Sequence, residues 1–261
     1  MKSVAKLMAW HWRLVRGPYA VLCAVYAVQQ LILLLVSASD SQRLGYQMAE
    51  LFQGCGQMPL FFVALCLVAI VAASATRNRE RAQKMYTLYT MPSSRWTLWE
   101  AQFLLGLILL AGFAAWQVLL YAAAYFPVTM VLSRVAESMV ANALPWNSLV
   151  EELNANPLMQ LLLPVKAGSG LALLGALGVT ALHSACMACC QGLRRAVVTL
   201  LALFGTGAAY TAFYIRYHQV IYGTDAPSYW LLFAVVLAVA LGLAAVNVFQ
   251  AVWALKRAET A

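Results

Sequence analysis

The side chains best equipped for chemistry are His183, Cys186 and Cys190, which fall at i, i+3 and i+7 and so share one face of a helix. Imidazole and soft thiolate are the ligand types that copper and zinc take. No matching ligand set stands elsewhere in the chain, and small residues such as cysteine let membrane helices approach closely. The packing reading outweighs the metal reading, and no metal is expected. Gly168-Ser169-Gly170 and His183 offer a serine nucleophile and a base. On one helix, however, Ser169 and His183 lie roughly 21 Å apart at 1.5 Å per residue and cannot touch. Glu151-Glu152 is a carboxylate pair of the sort used in metal-assisted hydrolysis, but no metal-ligating histidines accompany it. The sequence also lacks an aspartate-rich magnesium motif. With catalytic groups missing in the required combinations, the chain is not expected to be an enzyme.

The elements that must position these residues are apolar. Of 261 residues, 64% are hydrophobic and 10% charged, and the mean hydropathy is +0.77. Soluble domains carry roughly 25% charged residues, so the composition is that of an integral membrane protein. The net charge of +8 does not indicate nucleic acid, because the basic residues are dispersed to the ends of apolar runs rather than gathered on one face. Cys23, Cys55, Cys66, Cys186, Cys189 and Cys190 lie mostly inside apolar runs. They read as small hydrophobes, not as a disulfide framework.

Residues 2–16 form an amphipathic stretch. At about 100° per residue, Lys2, Lys6, Arg13 and Arg16 fall within roughly an 80° arc, with Val4, Leu7, Met8 and Val15 opposite and Trp12 at the edge. This pattern predicts an interfacial helix, broken at Gly17-Pro18. Val36-Ser37-Ala38 resembles a signal-peptide cleavage site, but the basic leader and apolar run are too long for one. Six spans of membrane length follow, over about 18–38, 56–76, 101–126, 167–191, 196–215 and 229–255. Ser39–Leu51 is expected to be a polar link, and Pro127 to end the third span. Residues 128–164 then carry outer-surface helices. One has Val131, Leu132, Val135, Met139 and Val140 at helical spacing, and another begins at the Ser148/Glu151 capping box and stops at Asn156-Pro157. Arg216–Ser228 is expected to be a short outer link.

Charge orients the spans. All 17 Lys and Arg residues except Arg43, Arg134, Lys166 and Arg216 fall at the termini or in the loops of one side. By the positive-inside rule that side is cytoplasmic, with both termini in. The densest cluster, Arg77, Arg79, Arg81, Lys84 and Arg95, joins spans two and three. Within it Met91-Pro92 ends one helix, and Ser93 or Ser94 can cap a second carrying Arg95, Trp96 and Trp99.

Ionisable groups are nearly absent from the spans, but uncharged polar ones are not. Gln29, Gln30, Gln117, Asn247 and Gln250 must find partners in hydrocarbon, and Tyr210 and Tyr214 add a hydrogen-bonding face to the fifth span. Hydrogen bonding between helices is their ordinary role. The alternative is a weakly polar pathway lined by Gln29, Gln30, Gln117, Tyr210, Tyr214 and Asn247, which suits an amphipathic, lipid-like or peptide cargo better than a small ion.

The layout resembles the type-2 membrane permease subunits of ATP-binding-cassette (ABC) exporters. In that family an elbow helix precedes the first span, and a basic connector between spans two and three carries a Leu-x-x-x-Pro-x-x-Arg-like segment. Here that segment reads Leu88-Tyr89-Thr90-Met91-Pro92-Ser93-Ser94-Arg95. Gln102, where such sequences often carry lysine, and the long outer segment after span three depart from the pattern. The resemblance implies that residues 77–100 are a coupling region, with Arg81, Lys84, Leu88, Met91, Pro92, Arg95 and Trp96 facing an ATPase. The chain lacks the Gly-rich phosphate loop with Lys-Ser/Thr. ATP and magnesium would therefore sit on separate ABC-type ATPase subunits, with no cofactor in this chain. The resemblance further implies a second permease chain, identical or not, and a bacterial inner-membrane location. A membrane anchor, assembly or self-protection protein is the alternative, and a membrane-embedded enzyme a weaker one.

Overall fold

The computed structural model describes residues 2–39, 47–74, 95–139, 148–163, 167–190, 192–222 and 227–259, and among these it is all helix and bend or turn, with no strand. The helices are α1 (Lys2–Ala38), α2 (Met48–Gly54), α3 (Gln57–Ser74), α4 (Arg95–Met139), α5 (Leu149–Ala155), α6 (Pro157–Leu162), α7 (Ala167–Cys189), α8 (Gly192–Tyr222) and α9 (Pro227–Glu259). Segments of five of them, Val4–Ala38, Gln57–Ser74, Trp96–Val135, Ala196–Ile215 and Trp230–Trp253, are long and apolar enough to cross a bilayer. These are the features of a multi-pass membrane protein.

Several boundaries differ from the sequence expectation, each for a local reason. Helix α1 continues through Gly17-Pro18 instead of breaking there. Contacts on both sides of the proline hold it: Leu7 packs on Ala101, and the Tyr19 hydroxyl donates to the Leu109 carbonyl at 3.1 Å. Helix α4 likewise runs through Pro127 to Met139, so that proline does not end the third span. The bond lost at Pro127 is one against a further three turns that bury Val128 and Leu132. The Val131–Met139 periodicity therefore belongs to the same helix, with Arg134 exposed. Helix α8 extends to Tyr222, past the expected link at Arg216. The end of the expected polar link Ser39–Leu51 is helical, with Met48, Ala49, Leu51 and Phe52 of α2 buried. Gly56, at φ 67°, makes the turn from α2 into α3, a left-handed conformation that glycine adopts without steric cost.

The capping box is present as expected. Ser148 Oγ accepts from the Glu151 amide, and the Glu151 carboxylate accepts from the Ser148 amide at 2.6 Å. Asn156 both ends α5 and caps α6, its side chain accepting from Leu158 and Met159 ahead of Pro157 at the first turn.

The chain divides into two compact units. The first comprises residues 1–19, 66–111 and 166–261. Its centre is the packing of α7, α8 and α9 on one another, with a core of Ala73, Cys186, Met187, Cys190, Val198, Ala202 and Ala251. Gly106 of α4 lets that helix lie against Ala181 and Ser184 of α7. Ser184 donates to the Ala69 carbonyl at 3.0 Å, and Gln102 to that of Ala72. Gln102 is thus a buried interhelical tie. The second unit comprises residues 20–65 and 112–165. There the α5 residue Glu152 accepts from the Ala49 amide at 2.8 Å, placing a carboxylate on the α2 N-terminus.

Candidate functional site

In the second unit, three helices bring their polar side chains to one level. Tyr26 of α1 contacts Phe113 of α4 at 5.2 Å between ring centroids, and Phe113 stacks on Phe61 of α3 at 5.8 Å. One turn further along each helix, by i→i+4 on α1 and α4 and i→i−4 on the antiparallel α3, stand Gln30, Gln117 and Gln57. The antiparallel sense of α1 and α3 is fixed by two ties. Gln29 donates to Gln57 at 3.5 Å, and the Cys55 thiol donates to Ser37 at 2.8 Å. A layer of aromatic rings therefore carries a layer of amides above it. Gln30, Gln57 and Gln117 are all 1% exposed or less. Both amide atoms of Gln30 and Gln117, Nε2 of Gln57 and the Tyr26 hydroxyl have no hydrogen-bond partner among the described residues. Leaving a buried polar group unpaired costs roughly 1–3 kcal/mol, so this layer is expensive if it serves nothing.

The first unit holds a different polar group. Asn247 of α9 donates from Nδ2 to Nδ1 of His183 on α7 at 2.7 Å and to the Val198 carbonyl of α8 at 3.5 Å. With Nδ1 accepting, the neutral ring carries its proton on Nε2, and Nε2 has no partner among the described residues. The ring edge lies against Gly205 of α8, where a Cβ would come within 2.4 Å of Nε2. A small hollow of about 10 Å³, lined by His183 together with Cys66, Met187, Thr199 and Thr206 among others, adjoins the ring.

The expected pathway residues are thus divided. Gln29, Gln30 and Gln117 belong to the amide layer, while Asn247 belongs to the His183 group. Tyr210 is buried, and Tyr214 is 42% exposed. Sequence reasoning missed Gln57 and Tyr26, although their recurrence one turn from aromatic partners was a readable signal. It also missed His11, fully buried in the α1 stripe of Leu7 and Val15, with both ring nitrogens unpartnered among the described residues.

The expected chemical groups are dispersed as well. Cys186 and Cys190 lie in the apolar core with Met187, outside the hollow at His183. Among the described residues no three His, Cys, Asp or Glu side chains form a metal-binding group. Glu151 is spent on its own helix cap and Glu152 on the α2 N-terminus. Hydrogen bonds from the Ser148 amide and hydroxyl hold the Glu151 carboxyl below its ordinary pKa. Of the expected coupling residues, Arg81, Lys84, Leu88, Met91 and Pro92 lie outside the described residues, as does the Arg95 side chain. Trp96, at the start of α4, is 50% exposed. Its ring meets Trp99 at 6.4 Å, and Trp99 stacks on Phe103 at 5.8 Å.

Fold and sites together define a helical multi-pass membrane protein with neutral polar groups buried among its helices. Comparison with protein-family models, curated proteins and solved structures finds no match in any of the three.

Proposed function

We propose that this chain is the membrane-spanning permease subunit of an ATP-driven exporter of the ABC type-2 kind. It moves an amphipathic, lipid-like or peptide substrate. In this reading α7, 23 residues long and about 34 Å at 1.5 Å per residue, is the sixth span. The first turns of α1 are the elbow, and both termini face the cytoplasm of a bacterial cell. Two such chains, alike or different, work with two ATPase chains that hold ATP and magnesium.

The observation that carries the reading is the layer of Gln30, Gln57 and Gln117, buried and with unpaired amide atoms. A membrane anchor would gain by replacing such groups with leucine, and polar groups at membrane depth are costly and kept for function. Neutral amides accept and donate without attracting a fixed charge, which suits the hydrogen-bonding part of an amphiphile. The start of α4 supplies the transmission. Trp96 is exposed directly after the basic connector, and its ladder of rings leads to Phe103, three residues from Gly106 against α7. Displacement of a bound ATPase at residues 77–100 would be passed along α4 as a stiff rod.

Affinity purification of the tagged chain from its native membrane tests this. The expected result is an associated ATPase whose turnover falls at least several-fold with Arg95→Glu. No associated ATPase, or a complex and turnover indifferent to that substitution, would leave the anchor or self-protection reading in its place.

A further inference from the structure

Helix α2 completes the layer that covers the amides of the second unit. Below Gln30, Gln57 and Gln117 lie the rings of Tyr26, Phe61 and Phe113. One turn above them, by the same i→i+4 step, α1 brings Leu34 and α4 brings Tyr121, both fully buried. Helix α3 adds no turn there, because it begins at Gln57. Phe52 of α2 stands in its place, 1% exposed, its ring meeting Tyr121 edge to face at 5.3 Å between centroids. Met48, Ala49 and Leu51 are buried with it, while Glu50 and Gln53 on the other face of α2 are exposed.

This seven-residue helix is tied at both ends. At its start the Glu152 carboxylate of α5 accepts from the Ala49 amide at 2.8 Å. The Tyr121 hydroxyl donates to the backbone carbonyl of the same Glu152 at 3.4 Å, so one residue joins α2 to α4. At its end the Cys55 thiol donates to the Ser37 hydroxyl of α1 at 2.8 Å. Gly56, at φ 67°, then connects α2 to α3, and glycine changes its backbone angles at little steric cost.

We propose that α2 is a hinged lid over the layer of Gln30, Gln57 and Gln117, latched by Glu152 and turning on Gly56. Its opening admits water and solute to the amides. A buried carboxylate contributes little as mere packing, where an apolar side chain would serve as well. It suits a joint that opens, because water solvates the carboxylate and the Ala49 amide once they part. Exposure of Phe52 and its apolar neighbours opposes opening and keeps the lid shut at rest. The lid rests on the exporter reading for its purpose: it is the outer exit for the substrate, and α4, the rod of that reading, reaches the latch through Tyr121.

The test uses the purified full chain in detergent, with no ATPase. Gln117→Cys places a thiol in the layer without breaking a side-chain hydrogen bond, since both amide atoms of Gln117 are unpartnered among the described residues. A charged methanethiosulfonate reaches that thiol through water, and its rate of modification, above that of the parent chain, reads the opening. Glu152→Gln keeps an acceptor for Ala49 but removes the charge. It should raise the rate by about tenfold, the order of difference between a charged and a neutral acceptor. Ser37→Cys should lock the lid through a disulfide with Cys55, whose sulfur is already 2.8 Å from the Ser37 oxygen. Modification should then stop until the disulfide is reduced. Amide exchange needs no introduced thiol: residues 49–52 should exchange faster than residues 58–65, and Glu152→Gln should accelerate the first group alone. Equal acceleration of both groups, or modification indifferent to latch and lock, overturns the lid. A working lid in a chain that brings down no ATPase would keep the lid and remove the exporter reading. An ATPase that copurifies with a chain whose lock changes nothing would do the reverse.

Discussion

Gln30 and Gln117 each leave both amide atoms unpaired in the interior of the second unit. Leucine is close in size and has nothing to desolvate. Gln30→Leu and Gln117→Leu should therefore stabilise the folded chain, by about 1–3 kcal/mol each. Thermal unfolding in detergent measures this. In the exporter proposed above, the same variants should lose substrate-stimulated ATP turnover, because stability gained at a functional group is usually lost as activity. A fall in stability would instead show the two amides bonded to each other across the α1–α4 seam. At this scale the sequence was only partly legible. Gln29, Gln30 and Gln117 stand out as polar letters in apolar runs, whereas Gln57 sits at the first residue of α3, where a polar residue looks like a loop end. The bond between His183 and Asn247 spans 64 positions and depends on how three helices pack. No local pattern encodes it.

Glu151 and Ser148 close the N-terminus of α5 through bonds that stay within four residues, which is why their spacing in the sequence marks the helix start. Element ends marked by proline were less legible. Pro127 and Pro18 lie inside continuous helices, while Pro157 begins one. The difference is tertiary: packing on both sides of Pro18 and Pro127 outweighs one missing hydrogen bond, and at Pro157 the Asn156 side chain offers a new cap. The α5 cap also carries a pH dependence. Because its hydrogen bonds hold the Glu151 carboxyl below the usual carboxylate range, the cap's contribution is fully present above the unfolded-state pKa. It is lost as pH falls through the lower, folded-state value. Amide hydrogen exchange of residues 149–152 should therefore accelerate on acidification, beyond the intrinsic rate, only once pH drops below the ordinary glutamate range. Glu151→Gln should remove that dependence while keeping the helix. Acceleration beginning near neutral pH would assign the transition to another group.

Helix length sets the constraint on the whole molecule. α4 has 45 residues and measures about 68 Å at 1.5 Å per residue, against a hydrocarbon core of ~30 Å. It must project well beyond the bilayer on at least one side. The proposed orientation assigns that projection a side. If Arg95 and the basic connector are cytoplasmic, the far end of α4, with Arg134, and the capped helix α5 lie outside. This places Val150, 65% exposed on α5, and Ser3, in the first turn of α1, on opposite sides of the membrane. Ser3→Cys should react with an impermeant maleimide only in inverted vesicles, and Val150→Cys only in right-side-out ones, each read above the wild-type background. The proposed sidedness rests on dispersed Lys and Arg, whose effect is cumulative along the chain. The internal division into two units is not readable in that way, because α1, α3 and α4 each contribute residues to both. Labelling of Val150→Cys only in inverted vesicles would reverse the assignment of the α4 projection. It would also remove the basic connector from the compartment in which an ATPase could reach it.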